Sequence, residues 1–503
     1  MARQLGPVLQ FRGNNDAYCV SALVVLDRAD PAPAGQLGDQ QQANVRCLAE
    51  IPFENPAYKV WRLDFRIAQG AAAARYDYRV AEVAGSFVVP GRDDMPRLAY
   101  GSCNGFSDPK LMKQVADHNE RWRHLAGLHA ANPYHLLLLG GDQVYSDAMW
   151  KQVSSLAGWL EQPAQKRFDL AFTRDMARQL DSYFCRMYLE RWSRPEIATV
   201  LAGVPSVMMW DDHDIMDGWG SYPRQQHYSA VYQGIYAVAR RYFRLLQLQC
   251  AADEAHPAAL AAGEGCHLAF GQLGGMALLV PDLRSERQPA GDAGQPEQII
   301  SAQGWQAIYG WLDGRQQGGD KHLLLMSSIP VAYLDLGSIE RMLNTLPGQQ
   351  ELEDDLRDHW SSEPHLQERK RLIHRLFDHA AAKGCRITIL SGDVHVGALS
   401  VLESTRQPGA ARGQSIINQL VSTGIVHPAP PAIARFVLEQ LAGKVEQVDQ
   451  GITASMLPIA SRSRYLIGAR NWLAVEPDAD KRLWCNWHVE GMATPLTKVV
   501  HPA

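Results

Sequence analysis

The sequence predicts an α/β fold preceded by a small antiparallel β-sandwich. From Arg97 onward, short apolar strands alternate with helical stretches, the order of an α/β domain. Within that region LLLLGGDQVYSD (136–147) opens with four leucines, the pattern of a strand buried on both faces. Residues 1–92 read differently. LVVLDR, VRCLAEI, VWRLDFRI, YDYRVAEV and SFVVP are short alternating segments rich in Val, Tyr and Phe, separated by turn clusters. GRDDMP (91–96) reads as a linker, so a sandwich over 1–92 and a larger domain over 93–503 are expected.

The sandwich holds no cluster of catalytic side chains, so its expected role is structural, with substrate presentation as the alternative. Beyond it, RLAYGS is a strand ending at Ser102-Cys103-Asn104-Gly105. Apolar residues at 111, 112, 115, 125 and 128 predict a helix over 109–130. LLLLGG follows, its glycine pair allowing a sharp turn, then helices over 148–160 and 165–192. Val204 to Trp210 is a second buried strand, running into Asp211-Asp212-His213-Asp214. A helix over 226–249, a hairpin delivering Asp282 and Arg284, a helix over 300–315 and the strand KHLLLMSSIPV come next. Residues 335–362 are polar and irregular. A helix over 368–382, the segment RITILSGDVHVGALSVLE as a hairpin or pair of strands, the strand INQLVSTGI and a C-terminal hairpin complete the chain.

Composition narrows the function. A chain of 503 residues exceeds one simple core, and 46% hydrophobic with 20% charged residues is ordinary for a soluble globular protein. The net charge of −5 and the lack of a basic run leave no nucleic-acid footprint. No apolar run reaches the roughly 18 residues of a membrane helix. MARQLGPVLQFRG has neither an apolar signal core nor a twin arginine, and the eight cysteines are scattered without CxxC spacing, so a reduced, cytoplasmic protein is expected. No feature sets an oligomeric state.

Three strand ends carry hard or borderline metal ligands: Asp142 with Tyr145, Asp211 to Asp214, and Asp393 with His395. Cys103 makes a fourth. A hydrolase acting on phosphate esters must neutralise charge on the attacking and leaving oxygens. Two adjacent ions bridged by one carboxylate do this and supply hydroxide near neutral pH. Asp393 and His395, two apart on a strand-like stretch, are expected to point to one side. Each cluster has an ordinary explanation, such as Asp147 capping a helix from Ala148, or an Asp–His pair satisfied within a turn. Four such clusters at successive strand ends favour the metal.

In order, SCNG, GDQVYSD, WDDHD followed by Asp217-Gly218-Trp219, DLRSER and SGDVH resemble the motifs of the PhoD-like alkaline phosphatases, a branch of the calcineurin-like metallophosphoesterases. The resemblance covers about Arg97 to the C-terminus. It implies a metallophosphoesterase-type αββα sandwich behind the N-terminal β-sandwich. It also implies hydrolysis of phosphomonoesters, phosphodiesters or both by in-line attack of a metal-bound hydroxide. By this likeness Asp142 bridges two metals, Asp212 takes the place of a common Asn ligand, and His213 contacts phosphate or protonates the leaving group. Asp393 and His395 match the late ligand pair, while Cys103 and Tyr145 match the family's thiolate and phenolate ligands. Arg284 and Arg287 match a stretch suited to holding phosphate through guanidinium forks; surface ion pairs with Asp282 or Glu286 are the ordinary alternative.

Free thiols and phenols have pKa values of about 8.5 and 10, so holding both deprotonated takes a strongly Lewis-acidic ion. Calcium and magnesium do not select sulfur, and zinc has little reason to recruit the tyrosine, whereas ferric iron accepts both. The resemblance implies Fe3+ beside Ca2+, with Mn2+, Zn2+ and Mg2+ as alternatives; the ordinary explanation is a small buried Cys103 and a packing ring at Tyr145. The sequence shows no twin-arginine signal of the kind the family's exported members carry, and it reads DDHD where DDHE is commoner. Asp358-His359-Trp360 matches an Asp-x-Trp of the family only loosely. His359 and the histidines at 118, 124, 129, 135, 227, 374 and 379 are expected on surfaces or in cores. The expected substrate is a phosphate ester. The rivals are a non-catalytic, metal-stabilised binding protein, and a nucleotidase or esterase on the same scaffold.

Overall fold

The computed structural model describes every residue except 1–2, 40, 55–56, 262, 291–296, 334–359, 361, 363–364, 407–412 and 460–463. The chain forms two compact units: residues 1–98, 105–217 and 222–258 make the first, and residues 99–104, 218–221 and 259–503 the second.

The first unit is built on one mixed sheet. Leu136–Gly140 pairs in parallel with Ser206–Met209, which pairs in parallel with Arg3–Gly13. Tyr18–Asp27, Tyr58–Ile67 and Asn44–Ile51 then add in antiparallel order. All five residues of Leu136–Gly140 are buried, as its run of leucines requires. Gly35–Leu37, Gln41–Gln42, Ala74–Val80 and Val83–Val89 form a separate antiparallel sheet. It meets the first closely at Gly35, where a Cβ would come within 2.4 Å of Leu63 Cδ2.

The early strands therefore do face each other as two sheets, but contacts do not divide the chain at 92/93. Gln10 pairs with Ser206, which joins the first strand to the α/β sheet. Alternating apolar residues predict a strand without naming its neighbour, so composition alone does not say which sheet a strand joins.

The expected helix over 109–130 is two helices, Pro109–Gln114 and Glu120–Ala131, because Val115 adopts an extended conformation. Thr173 caps Arg174–Trp192, accepting the Met176 N–H. The expected helix over 226–249 breaks into Arg224–His227, Ala230–Tyr242 and a π-turn at Phe243–Gln247. π-Turns often mark functional sites; this one carries Gln247, whose Nε2 donates to Asp214 at 2.9 Å.

The second unit holds a larger mixed sheet. Met276–Val280, His322–Ser327, Arg386–Ser391 and Ile416–Val421 run parallel in that order. Leu268–Leu273 flanks one side antiparallel, giving the expected hairpin. Gly397–Ser404, Ile452–Leu457 and Val445–Asp449 flank the other. Arg386–Ser391 and Gly397–Ser404 are a pair of strands but not a hairpin, since Ile416–Val421 lies between them. The helices Ala302–Gly314 and Leu366–Lys383 bury Ile308, Leu312, Leu372, Ile373 and Leu376 in a core with Leu323, Leu325, Ile387 and Ile389. Asn471–Pro477 and Leu483–Val489 form the expected C-terminal hairpin, extended by Leu496–Val500.

The excursion expected over 335–362 lies almost wholly outside the described residues, including Asp358 and His359, while Trp360 is buried. Among the described residues no helix is long and apolar enough to cross a membrane.

Candidate metal centre

In the first unit the Leu136–Gly140 strand ends at Gly141, with φ +107°, and Asp142, with φ +53°. This left-handed step turns the chain so that Asp142 approaches Asp211 and Asp212. One carboxylate oxygen from each lies within 4.8 Å of the others. All three residues are buried. Burial, reinforced by Asp212, Asp211 and Asp214 and opposed by His213, holds the Asp142 pKa well above the carboxylate range. Buried like charges at this spacing repel unless a cation lies among them, so the donor set fits a hard metal ion. Asp212, His213 and Asp217 offer a second close group of ligand atoms.

Asp214 ties the two strand ends together. Its carboxylate accepts the backbone N–H groups of Gln143 at 3.1 Å, Val144 at 3.2 Å and Asp211 at 2.9 Å. Burial pushes its pKa up to about 7, but every partner is a donor, so the geometry suits the ionised form. The shorter carboxylate of DDHD is thus a brace for the loop that carries Asp142.

Asp147 is not a helix cap; Ala148 holds that position. Instead Asp147 accepts the His213 Nδ1 proton at 2.8 Å and the Asp217 N–H at 2.9 Å. Burial alone would lower the His213 pKa, but Asp147 and Asp212 outweigh it and raise it well above the usual value. Asp147 thereby fixes the orientation of the imidazole. Sequence reading missed this pairing because the two residues lie 66 positions apart. The Tyr145 ring stacks on His213 at 4.4 Å, and its hydroxyl lies 3.5 Å from Asp142 Oδ2. Gly105 makes room for it, since a Cβ there would come within 2.4 Å of Tyr145 Cδ2.

In the second unit Cys103 is fully buried with φ +56°, and its Sγ lies 2.8 Å from Thr423 Oγ1. A ring nitrogen of His395 comes within 4.8 Å of that sulfur. Asp393 and His395 have φ +67° and +52°. The strand has already ended at Ser391, so both lie in left-handed backbone beyond it, and strand alternation does not set their directions. His427, absent from the sequence-level candidates, stacks its ring on His395 at 3.6 Å and 13°. Its place after a Gly-Ile-Val turn carries no metal-ligand spacing, so no motif exposed it.

Arg284 and Arg287 are interior residues, at 0% and 3% exposure, and not surface ion pairs. Arg284 Nη1 donates to the Trp219 carbonyl at 3.0 Å, and Arg287 Nε to the Leu283 carbonyl at 3.0 Å. Gly220 allows the close pass, since a Cβ there would come within 2.3 Å of Arg287 Cδ. The Asp282 carboxylate accepts the N–H groups of Cys266, Arg284 and Ser285. Glu286 joins His267 to Ser301, the cap of Ala302–Gly314. Burial alone would raise the Glu286 pKa, but hydrogen bonds from His267 and Ser301 bring it from 4.5 down to about 2. Its stabilisation is present above pH 4.5 and is lost as pH falls toward 2. Glu286→Gln is expected to cost roughly 2–3 kcal/mol at neutral pH. The gap to wild type should narrow between pH 4.5 and 2 in urea unfolding; a constant gap would reject the ionised role.

Among the other histidines, burial pushes His135, His227 and His379 down to about 4, as expected of neutral core residues.

Mixed sheets whose strand ends carry acids, histidines and a cysteine define an α/β fold with candidate metal ligands at its strand ends. The model of the family described as PhoD related phosphatase matches residues 68–350 and 345–449, and the chain belongs to that family. The match begins before the Arg97 at which the motif resemblance starts. An uncharacterized protein of Saccharomyces cerevisiae is 31% identical over 374 residues, covering 62% of this chain and 51% of its own length. The chain thus spans about half the length of that curated relative. The solved structure of PhoD aligns with TM-score 0.59 at 12% identity, covering 98% of this chain and 88% of the other, a likeness of fold.

Proposed function

We propose that this chain is a metal-dependent phosphoesterase acting on phosphomonoesters, phosphodiesters or both. The observation that carries the reading is conformational. Among the described non-glycine residues, positive φ occurs at four proposed ligands at strand ends, Cys103, Asp142, Asp393 and His395, and elsewhere at Ala81, Glu82, Gln249, Gln272 and Lys481. Such conformations cost about 1–3 kcal/mol each and persist where the surroundings impose them, most often at functional sites. Asp and His tolerate the region better than most residues, but Cys103 has no such excuse. That four of the strained residues fall on the strand ends bearing the proposed ligands supports a functional cause there.

Cys103, Asp142, Tyr145, Asp212, Asp393 and His395 are the proposed ligands, with Asp142 as the bridge. When bound, the ions neutralise charge on the attacking and leaving oxygens and make water more acidic. His213, oriented by Asp147, donates a proton to the leaving group. Arg284 and Arg287 hold the phosphate. Fe3+ with Ca2+ is the proposed pair, on the chemistry of thiolate and phenolate, and the proposed compartment is the cytoplasm.

The test is metal analysis of purified protein with a panel of phosphomonoesters and phosphodiesters. Stoichiometric metal and hydrolysis of at least one ester class are expected. Metal-free protein inactive after loading with each candidate ion would overturn the reading. An iron form should be coloured, with Tyr145→Phe and Cys103→Ser each shifting the absorption; an active, colourless zinc or manganese form would reject iron alone.

His213→Ala should cut turnover by about 10²–10⁴-fold while leaving metal content nearly intact. The loss should shrink for substrates with good leaving groups. Equal losses for good and poor leaving groups would argue against proton donation.

A further inference from the structure

Residues 422–428, Ser-Thr-Gly-Ile-Val-His-Pro, wrap the strand end that bears Cys103. Ser102 Oγ donates to the Ser422 carbonyl at 3.2 Å, Ile425 N–H to the Ser102 carbonyl at 3.0 Å, and His427 N–H to the Cys103 carbonyl at 3.2 Å. Ser422 Oγ donates to Asn471 Oδ1 at 2.7 Å, and Trp487 Nε1 to the Val421 carbonyl at 2.9 Å. Gly424, with φ +74°, permits the tight return: a Cβ there would come within 2.4 Å of the His427 carbonyl oxygen. The loop is held at many points, and it holds one side chain in particular.

That side chain is His427. It is 5% exposed, and its Nδ1 lies 2.9 Å from the Pro428 carbonyl. A carbonyl only accepts, so Nδ1 carries the proton, which sets the ring's tautomer and plane. The ring then lies face to face with His395, 3.6 Å between centroids and 13° from parallel. His395 has a left-handed backbone, and an imidazole at such a turn needs something to set its plane. A ring bound to a cation through one nitrogen is electron-poor, and an aromatic face against it is favourable.

We infer that His427 is a positioning residue that orients the His395 imidazole by stacking and thereby tightens metal binding. The inference rests on the proposed role of His395 as a ligand. It assigns His427 neither a metal bond nor a proton transfer.

The experiment compares His427→Phe, which keeps a flat ring, with His427→Leu, which fills space without one, and with His427→Ala. Metal affinity is read by chelator competition, and ligand geometry by the visible spectrum of the cobalt(II)-loaded protein. Leu and Ala are expected to weaken metal binding by about 10–100-fold, as loss of a ligand's supporting contact does, and to alter the cobalt spectrum. Phe should restore most of both. If Ala fails to fold, Phe against Leu decides. Phe as weak as Leu would overturn stacking and implicate a His427 nitrogen; Leu equal to wild type would overturn any role. His395→Ala is the control: unchanged metal content there would sink the ligand assignment itself, separately from the His427 comparison.

Discussion

Asp142→Asn is expected to stop hydrolysis and lower metal content while making the metal-free protein more stable. The two halves have one cause. Asp142 is buried with Asp211, Asp212 and Asp214 as its acidic neighbours. Without a cation these charges repel, so removing one relieves the apo state. Asparagine tolerates the left-handed φ of +53° as well as aspartate does, so the backbone has no reason to move. With a cation present the same charge is what binds it. Metal stabilisation of the transition state is worth several kcal/mol, so its loss corresponds to a fall in turnover of about 10³-fold or more. Thermal unfolding with and without metal, alongside turnover, checks both. Near-native turnover would sink the bridging assignment, and an unchanged or lowered apo melting point would reject the repulsion argument.

Deletion of residues 1–92 is expected to abolish folding of the remainder. Composition alone reads residues 1–92 as a separate sandwich with a structural role, which would leave the chemistry to 93–503; the strand pairing argues for dependence. Arg3–Gly13 is an interior strand, paired on one side with Ser206–Met209 and on the other with Tyr18–Asp27. Removing it opens the edge beside the strand that leads to Asp211 and Asp212. Leu5, Val8, Leu9 and Phe11 are each at most 2% exposed. At about 1.5–3 kcal/mol per buried side chain they approach the whole net stability of a typical domain, about 5–15 kcal/mol. The deletion also strands polar groups. Arg12 Nη1 donates to the Leu248 carbonyl at 2.6 Å, Arg62 Nη1 to the Gln249 carbonyl at 2.7 Å, and Tyr78 Oη to the Ala202 carbonyl at 2.7 Å. Expression of 93–503 should give insoluble protein, or soluble protein without a cooperative transition. A soluble 93–503 with native near-ultraviolet circular dichroism and metal content would overturn this account.

These outcomes separate what local sequence carries from what it does not. Four leucines ended by two glycines and an aspartate dictate a doubly buried strand with an acid at its exit, because burial and turn chemistry act within a few residues. The strand ends at 101–104, 140–142, 209–214 and 391–395 were legible for that reason, and their motif order pointed to the family. Helix breaks at Val115 and within 226–249 were not legible, since tertiary contacts override the periodic pattern there. The neighbour of the first strand, Asp147 as the partner of His213, Asp214 as the brace of the Asp142 loop and His427 as the face behind His395 were decided by tertiary structure alone. Each depends on residues brought together across long stretches of chain, such as Gln10 and Ser206. No local propensity encodes such a meeting; it follows only when the buried faces of whole sheets find their register.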